Sequence, residues 1–492
     1  MGVIAKQSGY AAIALGVGLL VGTANNMVVL PRAFEGREAI WGLVRIMTSW
    51  GLILGSLSTL GAPSAMMRFM NQLSEADRSR NFNTILAIAL AGLAITLGLL
   101  VWKGQEWIAW LDPNNSELLT SNSHWFIAII AIMSLLHLFR SLLTLALRTG
   151  HIAWIDEGWQ KVSYLGLAIL LWIEAIPVEW FAPLYVGTYA ISLILLGAPT
   201  LGFFRSMEAG FNQKELPKFA QFSSFSLLAG SAALIANQLD YIMVGKYLGL
   251  EEVPVYTLGF FIGSVVAMPN RATNNIVRGI LAAKIKTPQE HTIDALTKNT
   301  ARVNMLLMAS LMAGIWAGFD PFQQLLPEKY QGLQTVFLCI GLAQVISGLN
   351  TTSNQYLGFS EHYKLVLPIN VALVGITVGM NYLFLVVFNW GLNGAALATL
   401  GTFLWSNAWR IWIVKRKLGS HPFTWSIPVI AAVAVVLAWA FQWNSGTLGF
   451  HPILEALIQG GLAAGGTFAI GYGLGYFPEL RNGIKQRLPW WP

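Results

Sequence analysis

Fourteen apolar runs, each long enough to cross a lipid bilayer as a helix, constrain the fold of this chain more than any other feature. A bilayer core takes about 20 residues of helix, and only helices or closed barrels satisfy their backbone polar groups inside it. With 55% of 492 residues hydrophobic and 11% charged, the composition is that of a polytopic membrane protein. We therefore predict an all-α polytopic membrane protein with about 14 transmembrane helices. The predicted spans are 9–30, 40–62, 83–102, 123–147, 159–176, 181–204, 222–245, 255–280, 300–318, 333–357, 365–388, 393–413, 423–441 and 453–475.

Basic residues alternate with these spans in a way that orients them. With both termini in the cytoplasm, 23 of the 30 Lys and Arg residues fall on cytoplasmic segments and their flanks, against five outside. Such a bias is the positive-inside pattern of membrane proteins. It explains the basic balance of the chain by topology, so we expect no nucleic-acid partner. The first run, up to Leu30, is expected to be a retained span and not a cleaved signal.

The run 255–280 carries polar residues on one helix face, with Pro269 placed to kink it. Arg271, Asn274, Asn275 and Arg278 follow the spacing i, i+3, i+4 and i+7. An arginine in hydrocarbon costs roughly 2.5–3.5 kcal/mol on the lenient insertion scale, so it should face protein or water. Two interpretations stay open: the arginines snorkel to the membrane surface, or they line an internal cavity for an anionic ligand.

Two further charges lie near the outer ends of predicted spans. Arg45 is in the second span, followed by Thr48 and Ser49, and Asp240 is in the seventh, after Gln238. A buried aspartate must be paired, protonated or bound to a cation. Asp240 is therefore either a structural ion-pair partner of an arginine such as Arg45, or a site that couples proton or sodium uptake to transport.

The fourth and tenth spans each carry a polar stripe. In the fourth span, Arg140 lies on one face with His137, and the histidine is interpreted as hydrogen-bonded packing. In the tenth span, Gln344 and Thr351 belong to a neutral stripe. That stripe serves either as helix–helix contact or as sugar contact.

Several classes of chemistry are not indicated. The single cysteine, Cys339, cannot form an intramolecular disulfide, and no His, Cys or carboxylate set has metal-ligand spacing. The sequence has no GxxxxGK[ST] phosphate loop and no GxSxG nucleophile motif. We therefore expect that the protein is not an enzyme and binds no cofactor. The expected driving force for transport is a gradient of protons or sodium ions.

A shift of 215 positions aligns two halves of the chain weakly, laying Asn25 and Asn26 on Asp240 and Tyr241, and Trp41 on Tyr256. Six spans separate the copies, so both have the same orientation in the membrane. Such parallel repeats are typical of transporters. The two spans beyond Lys417 lie outside the repeat.

Three segments carry a resemblance to a known family: LGAPSAMMRFMNQLSE (Leu60–Glu75), LDYIMVGKYLGLEEVPVY (Leu239–Tyr256) and VVAMPNRATNNIVRGILAAKIK (Val265–Lys286). They resemble the bacterial oligosaccharide (polysaccharide, O-antigen) flippases of the multidrug/oligosaccharidyl-lipid/polysaccharide exporter superfamily. The resemblance implies two pseudo-symmetric six-helix bundles around a central cavity, 1–220 and 221–417. A third part, 418–492, would hold two extra C-terminal helices and a basic cytoplasmic tail.

The resemblance also implies a function. Such flippases move undecaprenyl-pyrophosphate-linked oligosaccharides from the cytoplasmic to the outer leaflet of the bacterial inner membrane by alternating access, beside glycosyltransferases and a polysaccharide polymerase. Their cavities are cationic, and the candidate substrate-binding residues here are Arg45, Arg271, Arg278 and Arg140. The candidate polar lining is Asn25, Asn26, Asn274, Asn275, Gln344 and Thr351, and Asp240 is the candidate for ion coupling. Lipid II flippases carry charge near the outer end of the first span, where this chain has the two asparagines, so lipid II is disfavoured.

Two other functions remain as alternatives. A cation-coupled multidrug antiporter would share the fold, although that branch relies on acidic cavity residues and Asp240 is the one carboxylate placed securely inside a span. A membrane polymerase or ligase acting on lipid-linked sugars would need a large external loop with catalytic residues. The predicted external loops are short.

Overall fold

The computed structural model describes residues 2–70, 75–111, 116–201, 210–284, 290–359, 365–443 and 451–474. Every regular element in these ranges is helical. The predicted basic tail at the C-terminus lies outside the described residues. The main helices are α1 (Gly2–Ala24), α2 (Glu38–Ser58), α3 (Ala62–Phe69), α4 (Glu75–Leu111), α5 (Ser116–Ser121), α6 (Ser123–Leu145), α7 (Gln160–Trp172), α8 (Phe181–Gly197), α9 (Leu216–Leu248), α10 (Glu252–Val265), α11 (Met268–Lys284), α12 (Glu290–Ala317), α13 (Leu333–Leu349), α14 (Thr351–Phe359), α15 (Val366–Tyr382), α16 (Gly391–Leu418), α17 (Ser426–Trp443) and α18 (Pro452–Gly473).

The helices confirm the predicted class, an all-α polytopic membrane protein. Among the described residues, ten helical segments are long and apolar enough to cross a membrane, or up to twelve if two bent helix pairs each count as one span. The predicted spans 159–176 and 393–413 coincide with α7 and α16, which are not among these twelve. The count of fourteen therefore stays a prediction.

Two pairs of helices are each bent at a short break. The helices α10 and α11 meet at a bend of 53°, and α13 and α14 meet at a bend of 59°. In the first pair Pro269 lies in the first turn of α11, where its missing N–H costs no helical hydrogen bond. The predicted kink is therefore present, although the helix ends at Val265, four residues before the proline.

The fifth predicted span begins earlier than expected. Its helix starts at Thr149 and runs through a π-helical turn, Trp154–Trp159, into α7. The predicted span begins at residue 159, just after Asp156 and Glu157. Both carboxylates have basic partners, so they are accommodated within the helix.

The structure consists of two compact units, Met1–Pro254 with Leu373–Val378, and Val255–Ala372 with Gly379–Pro492. The boundaries at 220/221 and 417/418, which the resemblance implies, differ from this packing division. They stay a prediction.

In the first unit, α2 packs between α6 and α9, and glycines permit the close approach. A Cβ atom added at Gly42 would lie 1.9 Å from the carbonyl oxygen of Leu250, and one at Gly55 would lie 2.9 Å from the Cβ of Met133. At the end of α2, the buried rings of Trp41 and Phe34 stack with centroids 5.9 Å apart. This packing fixes the rotation of α2, and with it the direction in which Arg45 points.

In the second unit, α12 packs against the last two helices, α17 and α18. A Cβ atom added at Gly314 would lie 2.8 Å from the carbonyl oxygen of Gly460. One added at Gly460 would lie 2.8 Å from the carbonyl oxygen of Gly314. At Gly318 the added atom would lie 2.5 Å from the carbonyl oxygen of Ala456. Small residues at such spacing let membrane helices approach backbone to backbone.

Candidate functional site

A polar cluster in the first unit surrounds Arg45. Its Nη2 donates to the side-chain oxygen of Gln238 at 3.3 Å, and its guanidinium carbon lies 3.7 Å from the ring centroid of Tyr241. Ser49 donates to the same Gln238 oxygen at 3.1 Å. Arg45 Nε is buried and has no hydrogen-bond partner among the described residues. The Arg45 cluster, Arg45, Ser49, Gln238 and Tyr241, thus holds a guanidinium with neutral partners and no described carboxylate.

A chain of hydroxyl groups leads away from this cluster. Thr48 Oγ1 lies 3.0 Å from the hydroxyl of Tyr185, which lies 3.2 Å from the hydroxyl of Tyr189. These hydrogen bonds connect α2, which carries Arg45, to α8.

Arg140 differs from Arg45 because a carboxylate binds it. Its Nε donates to Asp156 Oδ2 at 3.0 Å and its Nη2 to Asp156 Oδ1 at 2.7 Å, a bidentate ion pair. Both side chains are about a quarter to a third exposed, at 25% and 30%. Any anion that binds Arg140 must compete with Asp156 for the guanidinium.

The remaining predicted residues of the first unit are buried or bonded locally. Asn25 is 2% exposed in the π-helical turn Asn25–Val29, and its Oδ1 has no hydrogen-bond partner among the described residues. Asn26 donates to the carbonyl oxygen of Gly22 at 2.8 Å. Asp240 is 3% exposed within α9, adjacent in sequence to Tyr241. Asp156 also lies in a helix, the one that leads into α7, but this helix is not among the candidate membrane spans of the described residues.

In the second unit, α11 carries the predicted cationic face. Arg271 is exposed, and no described residue pairs with its guanidinium. Arg278 is also exposed and donates from Nε to the side-chain oxygen of Gln355 at 3.2 Å, while Gln355 donates to Asn274 Oδ1 at 2.7 Å. Asn275 is exposed on the same helix. The i, i+3 and i+7 face predicted from sequence therefore remains largely open to its surroundings.

Thr351 belongs to a buried amide network at the bend between α13 and α14. Asn304 Nδ2 donates to Thr351 Oγ1 at 3.0 Å, to Asn270 Oδ1 at 3.2 Å and to the carbonyl oxygen of Gly348 at 2.8 Å. Thr351 is 3% exposed, which agrees with the helix-contact interpretation of this position. Gln344, one helix earlier, is half-buried.

An apolar cavity of about 270 Å³ lies in the second unit between α12, α13 and α17. Its walls include Met305, Met312, Trp316, Leu342 and Trp439. A space of this kind accepts alkyl chains and excludes charged groups.

Several site residues could not be assigned from the sequence. Asp156 pairs with Arg140 across the turn between two helices, 16 positions away along the chain. Asn304 and Gln355 contact partners between 34 and 81 positions away, and no local pattern indicates such pairs. Arg410, which lies in the predicted span 393–413, is half-buried among amides. No group of three metal-ligating side chains occurs in the described part of the chain.

Solved structures of membrane transport proteins have a similar fold. The solved structure of the lipid II flippase MurJ in an inward closed conformation aligns with a TM-score of 0.77 and 13% identity, covering 96% of this chain and 99% of that chain. An inward-facing multidrug resistance MATE family transporter of the MOP superfamily aligns with a TM-score of 0.59 and 14% identity, covering 83% and 99%. No family model matches the sequence, and no curated protein matches it.

The class that follows is a membrane protein with the fold of these MOP-superfamily transporters. Because the sequence identities are only 13% and 14%, the similarity shows the fold but not the substrate. Membership of the O-antigen flippase branch stays a prediction.

Proposed function

We propose that this protein is an alternating-access flippase that moves an undecaprenyl-pyrophosphate-linked oligosaccharide from the cytoplasmic to the outer leaflet of the bacterial inner membrane. The proposal includes the finer architecture of two six-helix bundles and two further helices, with both termini in the cytoplasm. It also includes the expected partners, membrane lipids, glycosyltransferases and a polysaccharide polymerase, and an ion gradient coupled through Asp240.

One observation carries the proposal: Arg45 and Arg410, two partly buried arginines of the helices, have amides or a tyrosine ring as partners and no carboxylate among the described residues. Arg271 and Arg278 also lack a described carboxylate partner and are exposed. A buried positive charge without a counter-ion favours an anion from outside. Arginine suits a pyrophosphate because its planar fork binds phosphate oxygens in pairs and does not deprotonate.

The apolar cavity between α12, α13 and α17 supports a lipid-linked cargo. A polyprenyl tail that leaves the bilayer core would meet apolar surroundings again in this cavity, whereas a free sugar would leave its hydroxyl groups unpaired there. The proposal therefore assigns the charged headgroup to the arginines and the tail to lipid and apolar surfaces.

Arg271→Ala tests the proposal in proteoliposomes that contain the full-length protein. The measurement is the rate at which a pyrophosphate-linked oligosaccharide becomes accessible to a glycosidase outside the vesicle. Loss of a charge-assisted bond of about 1.5–3 kcal/mol predicts a fall of roughly tenfold or more. Arg416→Ala is the matched control, because Arg416 is exposed at the end of α16 with Trp412 as its described contact.

Two parallel assays test other functions that this fold allows. In the first, lipid II replaces the lipid-linked oligosaccharide in the flipping assay, because a lipid II flippase has a similar fold. In the other, efflux of a cationic dye tests a cation-coupled multidrug antiporter, which the MATE-like fold and the buried Asp240 would allow. Dye efflux without movement of any pyrophosphate lipid, or full flipping by Arg271→Ala, contradicts the proposal.

A further inference from the structure

Arg410 occupies a setting that neither the positive-inside pattern nor the proposed cationic face of α11 explains. It lies in α16, half-buried, two turns before the basic end of the helix. Its Nη1 donates to Asn354 Oδ1 at 3.3 Å, and its Nη2 donates to Asn370 Oδ1 at 2.9 Å. No carboxylate among the described residues pairs with it. Two of its five N–H donors are thus used, both on neutral acceptors.

Amide acceptors leave the charge of an arginine in place. A carboxylate would neutralise the guanidinium, as Asp156 does for Arg140. An amide oxygen offers only a dipole, so the helices around Arg410 carry a full positive charge in a medium of low dielectric constant. Packing alone does not require this arrangement, because an apolar side chain of the same volume would avoid that cost.

The short helix α14 brings this pattern together. Asn354 accepts from Arg410, and the next residue, Gln355, accepts from Arg278. Asn350, at the bend before α14, is fully buried and donates to Asn407 Oδ1 at 3.2 Å, while its own Oδ1 has no hydrogen-bond partner among the described residues. Two arginines on different helices are therefore held by adjacent amides of α14.

Amides beside an arginine have a property that carboxylates lack. An asparagine side chain that turns about its last bond exchanges its oxygen for its NH₂ group, so it changes from acceptor to donor. If Asn354 and Asn370 turn in this way, Arg410 Nη1 and Nη2 lose their acceptors, and the position beside the guanidinium gains NH₂ donors. A phosphate group supplies the acceptor oxygens and the negative charge that such a position requires.

We infer that Arg410, Asn354 and Asn370 form a second phosphate-binding site, in which the two amide oxygens take the place of phosphate oxygens when no anion is bound. The inference rests on the proposed function and extends it, since the pyrophosphate of the cargo carries two phosphate groups. The same chemistry would bind the phosphate of a membrane phospholipid, and the experiment separates these two sources.

Binding is measured with the full-length protein in nanodiscs of phosphatidylcholine, with undecaprenyl pyrophosphate as one probe and phosphatidylglycerol as the other. Arg410→Gln should weaken binding of the pyrophosphate lipid at least tenfold, and Arg416→Gln should leave it unchanged. Asn370→Asp supplies Arg410 with an internal counter-ion. This variant should unfold at the same or a higher temperature than the wild type and still lose binding at least tenfold.

The Asn370→Asp variant keeps the test valid if Arg410→Gln does not fold. Loss of binding to undecaprenyl pyrophosphate supports a cargo site, and loss confined to phosphatidylglycerol supports a phospholipid site. If Arg410→Gln and Asn370→Asp both bind the probes as tightly as the wild type does, the inference is overturned. The proposed function then stands if Arg271→Ala loses binding. If the wild type binds neither probe, the inference and the proposed function both fail.

Discussion

Arginine residues in the helices of this protein differ by the chemistry of their partners. Arg140 is paired with a carboxylate, whereas Arg45 lies against an amide and a ring, and Arg278 has an amide. Asp156 neutralises the positive charge of Arg140, whereas the amide and ring partners of the other arginines do not neutralise theirs. At the residue scale, the partner and not the arginine itself therefore decides which positions can attract an anion.

Asp156→Asn tests whether Arg140 binds cargo. The substitution removes the negative charge that competes for the guanidinium, so we expect binding of undecaprenyl pyrophosphate to strengthen about threefold to tenfold, the effect of a partly exposed ion pair of about 1 kcal/mol. Arg140→Gln should weaken binding, and the double variant should match Arg140→Gln. The measurement is a titration in nanodiscs.

A purely structural ion pair gives a different result. Both single variants would then lower the unfolding temperature by similar amounts and leave the binding constant unchanged. That outcome would remove Arg140 from the substrate-binding residues.

Individual polar positions were predictable from the sequence, but their contacts were not. A charge in an apolar run stands out in hydropathy, which is how Arg45, Asp240 and Arg271 were found. The contact between Arg45 and Gln238 joins residues 193 positions apart, and it depends on the rotation of both helices. Hydropathy carries no information on that rotation, because lipid-facing and protein-facing surfaces of a membrane helix are both apolar.

Among the helices, the two bent pairs show what a local sequence signal can and cannot indicate. Pro269 predicted the bend between α10 and α11. The larger bend, between α13 and α14, has no proline, and it occurs where the buried Asn350 and Thr351 form hydrogen bonds to other helices. Side chains that satisfy distant partners replace the helical ladder there, so this bend could be found only in three dimensions.

Gly42→Ala tests the packing of α2. Its Cβ would lie 1.9 Å from the carbonyl oxygen of Leu250, which is backbone and cannot turn aside, so the helices must separate. We expect a loss of about 1–3 kcal/mol or more, seen as a lower unfolding temperature in detergent.

Gly98→Ala is the matched control for Gly42→Ala. Gly98 lies in α4 with no atom within 4 Å of its added Cβ, so alanine should stabilise the helix by up to about 1 kcal/mol. Equal unfolding temperatures for the two variants would contradict the close approach of α2 to the segment after α9.

For the whole molecule, length and composition were sufficient to predict the class. The all-α polytopic architecture follows from the apolar runs, and the fold is similar to that of the MurJ structure. The division into units at Pro254 did not follow from the sequence, because α9 packs with the helices that precede it and the weak repeat assigned it to the second half.

Cysteine labelling tests the predicted orientation of the whole chain. Cys339 is buried, so Cys339→Ala gives a background without thiols in which single cysteines can be placed. A membrane-impermeant maleimide should label Glu35→Cys in intact cells and Lys417→Cys only after lysis, since both positions are exposed. Labelling of Lys417→Cys in intact cells would show that the termini are not both cytoplasmic.

The contact of α12 with α18 has a consequence for how this protein can diverge over time. Gly314 and Gly460 each face the other's carbonyl oxygen, so neither position tolerates even a methyl group without moving a helix. Most surfaces of a membrane helix accept any apolar residue, and natural variation there is broad. In distantly related sequences, this pair should remain glycine while the lipid-facing residues around it change freely.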